Sequence, residues 1–166
     1  MRADGLDDLT EQPPAPGLRL PYGGMVFTIG YEGRSLGDLL YVLKANRVQV
    51  LLDVRENAVS RKPGFAKSAL DQALEAEGIR YQHEPLLGNP KENRDGFRNG
   101  NRSAARRRYL EHLNNGSRDA YEAFVELAMG NRVALLCFER REKECHRGCI
   151  VELAQAENPA LPVSRL

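Results

Sequence analysis

The chain has 166 residues, a length that fits one domain with a real core and leaves little room for two. Hydrophobic residues make up 42% and charged residues 28%, a balance that excludes fibrous, membrane-embedded and wholly disordered classes. The 24 Lys and Arg against 23 Asp and Glu leave a net charge of +1, so the overall field does not attract a polyanion and any nucleic-acid contact has to be local. Three cysteines, an odd number confined to residues 137–149, exclude the disulfide framework of a small secreted protein and point to a reducing cytoplasm.

Residues 1–24 carry acidic groups and prolines but no apolar stretch long enough for a signal peptide or a membrane span, and they are expected to form a loose tail ahead of a domain at 25–166. MVFTIG at 25–30 reads as a buried strand ended by glycine. Ser35 is a candidate N-cap for a helix at 36–46, where Leu36, Leu39, Leu40 and Leu43 recur at helical spacing. VQVLLDV at 48–54 is nearly continuous apolar sequence, as a strand covered on both faces requires. Phe65, Leu70 and Leu74 mark a second helix closed by Gly78, and 79–83 reads as a third strand.

Residues 85–101, rich in Gly, Pro, Asn, Lys and Arg, read as a long loop. Helices are predicted at 102–113 and 117–129, a buried strand at 132–138, a helix opening at the Cys145-His146-Arg147 sequence, and a last short strand at 162–166. Alternating strands and helices predict an α/β domain, a three-layer sandwich around a mainly parallel sheet of about five strands.

Ligands of such sheets bind beyond the carboxyl ends of the strands. That rule selects Tyr31 and Glu32, then Asp53 and Arg55 with Arg61, then Cys137 and Glu139, and finally Cys145, His146 and Arg147. Asp53 and Glu139 are a candidate acid–base pair expected to face each other, and Cys145 a candidate nucleophile with His146 as its base. Arg55, Arg61 and Arg147, with Tyr31 and Glu32, are candidates for binding a phosphate-bearing substrate. The glycines of Gly30-Tyr31-Glu32-Gly33 match neither a P-loop nor a dinucleotide fingerprint, so no nucleotide or redox cofactor is expected. No metal is expected either, because Cys137, Cys145, His146 and Cys149 lack a Cys-x-x-Cys pair and Cys137 is expected to point into the core.

Lys91, Arg94, Arg98, Arg102, Arg106, Arg107 and Arg108, interleaved with Phe97 and Tyr109, form a second basic feature and a candidate contact for nucleic-acid backbone. The bland alternatives are a structural ion-pair network at the strand ends and a solvated helix face.

TIGYEGRS, LLDVRENAVSRKPGF, the Leu87-Gly88 pair, and CFE followed by CHR occur in an order that resembles the DUF488 family. The resemblance implies an α/β domain with a shared polar site and supplies no reaction, since the family is named for its unknown function. The residues thus support two expectations: an enzyme acting on a phosphate-bearing substrate such as a nucleotide or nucleic acid, or a non-catalytic nucleic-acid-binding or ligand-sensing module.

Overall fold

The computed structural model describes residues 23–166; the tail expected at 1–24 lies almost wholly outside them. Five strands form one parallel sheet in the order β3-β2-β4-β1-β5, namely β1 (Met25–Gly30), β2 (Val50–Asp53), β3 (Arg80–His83), β4 (Arg132–Cys137) and β5 (Val163–Arg165). All five correspond to strands predicted from the sequence, and the α/β class is as expected.

Side-chain alternation along the strands sorts the core into two layers. Phe27, Ile29, Leu51, Ala134 and Leu136 face α1 (Leu36–Ala45) and α2 (Lys67–Glu75). Val26, Val50, Leu52, Val133, Leu135 and Cys137 face the other layer, built from α3 (Lys91–Arg98), α4 (Arg102–Gly116), α5 (Arg118–Gly130) and α6 (Arg147–Glu157). Ser35 caps α1 as its sequence implies: its hydroxyl accepts from the Asp38 amide at 3.0 Å while the Asp38 carboxylate accepts from the Ser35 amide at 3.0 Å. Gly78 takes a φ of 71° just past α2, the left-handed turn that a glycine makes without steric cost.

One expectation fails. The stretch read as a loop at 85–101 holds a 3-10 turn, Pro85–Leu87, and α3. Of α3 only Asn93 and Phe97 are buried, so a polar residue fills half of its inward face and the apolar period is too short to see. Asn93 is at home there because its amide donates to the Asn89 side chain at 3.0 Å and to the Ala105 carbonyl at 2.9 Å.

Neighbouring β1 and β4 lead to opposite faces, β1 into α1 and β4 into α6. The connections that follow them therefore part to opposite sides of the sheet, the arrangement beside which doubly wound sheets bind ligands. No helix among the described residues is long and apolar enough to cross a membrane.

Candidate active site at the carboxyl edge of the sheet

The pairing of β1 with β4 continues beyond both strands, because the Tyr31 amide donates to the Cys137 carbonyl at 3.2 Å and the Glu32 amide to the Phe138 carbonyl at 2.9 Å. Gly30 makes this approach possible, since a Cβ there would stand 1.9 Å from the Glu139 carbonyl oxygen. The Glu32 carboxylate then accepts from the Arg140 amide at 3.0 Å, so Glu32 ties the two loops together. The Tyr31 ring stacks on Phe65 at 4.5 Å and meets Phe138 edge-on at 5.3 Å.

Asp53, at the end of β2, is fully buried and saturated. Its carboxylate accepts from Arg55 Nε at 2.8 Å, Arg55 Nη2 at 2.5 Å, the Arg55 amide at 3.1 Å and the Tyr81 hydroxyl at 2.7 Å. Arg55 uses Nη1 on the Tyr31 hydroxyl at 3.2 Å and the Phe65 carbonyl at 2.8 Å. Burial opposes the guanidinium charge, but hydrogen bonding and attraction from Asp53 outweigh it and hold Arg55 above its ordinary value. Asp53 and Glu139 therefore engage different partners, and only Glu139 lines the cleft. Arg61 is exposed and lies off the cleft wall.

The third group is built where a 3-10 turn, Glu142–Glu144, hands over to α6. Cys145 is 2% exposed, and its Sγ receives Arg147 Nε–H at 3.3 Å and faces His146 Nδ1 at 3.6 Å. His146 Nε2 lies 2.9 Å from the Val54 carbonyl, which can only accept, so Nε2 carries a hydrogen and Nδ1 is the nitrogen turned to the sulfur. Tyr109, from α4, packs edge-on against the imidazole at 5.1 Å and donates its hydroxyl to the Leu87 carbonyl at 2.6 Å. Arg147, 1% exposed, also donates to the Glu139 carbonyl at 2.5 Å.

Burial alone pushes the Cys145 thiol up, but the neighbouring Cys137 thiol, the His146 ring and the Arg147 guanidinium override it and hold Cys145 well below the ordinary thiol value. Cys137, beside that sulfur and buried, is held well above the ordinary thiol value. Cys149, one turn into α6, is pushed up by burial to about 12. The three cysteines thus have three characters, and none is in a disulfide. Cys137 packs into the core as expected, but at the core's edge it also donates to the Glu139 carboxylate at 3.3 Å and lines the same cleft as Cys145 and His146.

The cleft has a volume of about 410 Å³. Tyr31, Arg55, Cys137, Glu139, Cys145 and His146 form its floor and near wall, and α3 supplies the far wall with Lys91, Arg94, Phe97 and Arg98. Arg94 pairs with Glu56 at 2.5 Å and Arg98 with Glu139 at 2.6 Å, while the exposed Lys91 has no carboxylate partner among the described residues. Beyond the residues expected from the sequence, Glu56, Asn57, Val59, Asn89 and Glu144 also line the cleft and Tyr109 packs behind His146; for Tyr109 the available signal was its helical spacing from Ala105 and Leu113, which marks an inward face.

The basic stripe is not one surface. Phe97 and Tyr109 are buried, Arg102 Nε donates to the Phe97 carbonyl at 3.2 Å, Arg106 pairs with Glu152, and Arg107 is exposed. The interleaved aromatics therefore serve the core and cannot stack on bases.

No curated protein and no solved structure matches the chain. A family model described as a domain of unknown function, DUF488, matches residues 35–154, a span that takes in every strand from β2 to β4 and all of the Cys145 centre. With most of its length covered, the chain belongs to the DUF488 family.

Proposed function

We propose that the chain is an enzyme, a hydrolase or transferase, acting on a phosphate-bearing substrate in this cleft, with Cys145 as the nucleophile. The observation that carries this reading is the Cys145 sulfur at the cleft floor, held between Arg147 Nε–H at 3.3 Å and His146 Nδ1 at 3.6 Å. A thiolate held between an imidazole and a guanidinium is a preformed nucleophile, and Arg147 stabilises the anion without blocking the cleft. Glu139, at the cleft wall beside Cys137, is placed to move a proton to or from the leaving group. Lys91 at the mouth supplies an unpaired cation for phosphate, and Arg94 and Arg98 supply forked donors that exchange a carboxylate for a phosphate when substrate enters. Asp53 and Arg55 have the lesser role of positioning Tyr31 and the loop after β2.

A non-catalytic module gains nothing from keeping a thiolate charged at 2% exposure, and no observation favours that second reading. The test is turnover of a panel of nucleotides, phosphate esters and nucleic acids in the presence of chelator. Cys145→Ser is expected to lower turnover on the order of 1,000-fold or more. Glu139→Gln is expected to cost roughly 100- to 10,000-fold. Cys149→Ser is expected to leave it unchanged. Equal turnover by wild type and Cys145→Ser refutes the assignment.

A further inference from the structure

Cys137 Sγ, Cys145 Sγ and a ring nitrogen of His146 all lie within 4.8 Å of one another, each on a buried residue and each at the cleft floor. Two features of the cluster go beyond proximity. First, the donor set is two thiols and an imidazole, the ligands that zinc-class ions prefer, and a tetrahedral ion with bonds of about 2.0–2.3 Å needs its donors roughly 3.5–3.8 Å apart. Side-chain rotations of an ångström or so close that gap. Second, the surroundings are those of ligands already oriented. The Val54 carbonyl holds His146 Nε2–H at 2.9 Å, which leaves Nδ1 as the ring nitrogen available to an ion, and Arg147 Nε–H supports the Cys145 sulfur at 3.3 Å.

We propose that Cys137, Cys145 and His146 form a binding site for one zinc-class divalent ion, with the fourth position open to the cleft and within reach of Glu139. Without metal, a proton on Nδ1 sits between the imidazole and the Cys145 sulfur, and Cys137 keeps its own. On binding, the ion replaces both, forming two metal–sulfur bonds and one metal–nitrogen bond and releasing two protons to solvent. The donors come from the end of β4 and the entry to α6, so the eight-residue step from Cys137 to Cys145, and not a Cys-x-x-Cys repeat, brings them together.

The site stands on its own geometry; its consequence for catalysis rests on the nucleophile reading above. An ion on Cys145 occupies the lone pair that would attack substrate, so the metal-loaded protein is inactive and the chelated protein active.

The test needs no substrate. Chelator-treated protein is titrated with Co²⁺ and then Zn²⁺. One equivalent of Co²⁺ is expected to give thiolate-to-cobalt charge-transfer absorption that one equivalent of Zn²⁺ abolishes. Cys137→Ser and His146→Ala are each expected to weaken binding by more than the roughly 100-fold that loss of an outer partner costs, while Cys149→Ser keeps the wild-type spectrum. In the unmutated chain, one equivalent of Zn²⁺ should also slow carboxymethylation of Cys145 at least tenfold, a readout that survives any folding defect of the variants. No charge-transfer band at stoichiometric Co²⁺, or a band and a protection that do not depend on Cys137 and His146, overturns the site. Cobalt binding without turnover in chelator overturns the nucleophile and leaves the metal site standing; turnover in chelator without cobalt binding does the reverse.

Discussion

Asp53 and Cys145 sit at the same edge of one sheet, both buried and both beside an arginine two residues further on, yet they are held in opposite ways. Asp53 accepts four hydrogen bonds of 2.5–3.1 Å and has no face on the cleft. The Cys145 sulfur has contacts of 3.3 and 3.6 Å and lines the cleft. A buried charge closed on all sides by short bonds has nothing left to offer a ligand, whereas a charge held loosely at a wall can exchange a partner for a substrate or an ion. The sequences Asp-Val-Arg and Cys-His-Arg look alike as candidate chemistry; their roles separate only when the remaining lone pairs are accounted for.

The comparison breaks most readily by substitution at its two centres. Asp53→Ala leaves the Arg55 guanidinium buried without its anion and is expected to cost about 3–5 kcal/mol of stability in urea unfolding. Cys145→Ser removes one long hydrogen bond and is expected to cost about 1 kcal/mol while abolishing fast alkylation at residue 145. Comparable losses of stability in the two variants would show that Cys145 is as much scaffold as Asp53.

Three strands, β1, β2 and β4, were legible as apolar runs, while β3 (RYQH) and β5 (VSR) were legible only from their place after a helix; the sheet edge followed from their order. The division of labour at that edge was not. That Cys137 faces the core is legible from its strand parity with Val133 and Leu135; the same parity puts it on the side from which Cys145 arrives, and so at the cleft as well. Glu139 lies beyond the last β4 pair, where parity ends and loop geometry decides direction. Nothing local to Asp53 announces that Tyr81, 28 residues on, completes its shell. The far wall was hidden because α3 buries Asn93 where a pattern of apolar residues would have shown a helix.

A smaller effect probes how the open side depends on the closed backbone around it. Gly30→Ala drives a methyl group into the Glu139 carbonyl, which also accepts from Arg147. The backbone after β4 must shift, at an expected cost of about 3 kcal/mol, and Glu139 and Arg147 move with it. Carboxymethylation of Cys145 in this variant should slow several-fold while the Asp53 cluster stays intact. An unchanged alkylation rate in a destabilised variant would mean that the Cys145 centre does not depend on the approach of β1 to the Glu139 loop.

The least change expected comes from the outermost member of the closed cluster. Tyr81→Phe deletes one of the four bonds to Asp53 and leaves the Arg55 pairing whole, so it should cost about 1.5 kcal/mol, the lower end for a bond to a charged group because Tyr81 is only half-buried on the edge strand. The loss carries a pH signature of definite sign. Burial, and then the hydrogen bond and charge of Asp53, push the Tyr81 hydroxyl above the ordinary phenol value. A group raised on folding gives its full stabilisation below its unfolded pKa, and that stabilisation drains away as pH rises from there toward the folded value. Wild type should therefore exceed Tyr81→Phe in stability by a constant margin at neutral pH, and the margin should shrink as pH rises past about 10. A margin that is flat through that range would mean that the hydroxyl does not donate to Asp53, and one of the four bonds that close this cluster would be lost from the comparison.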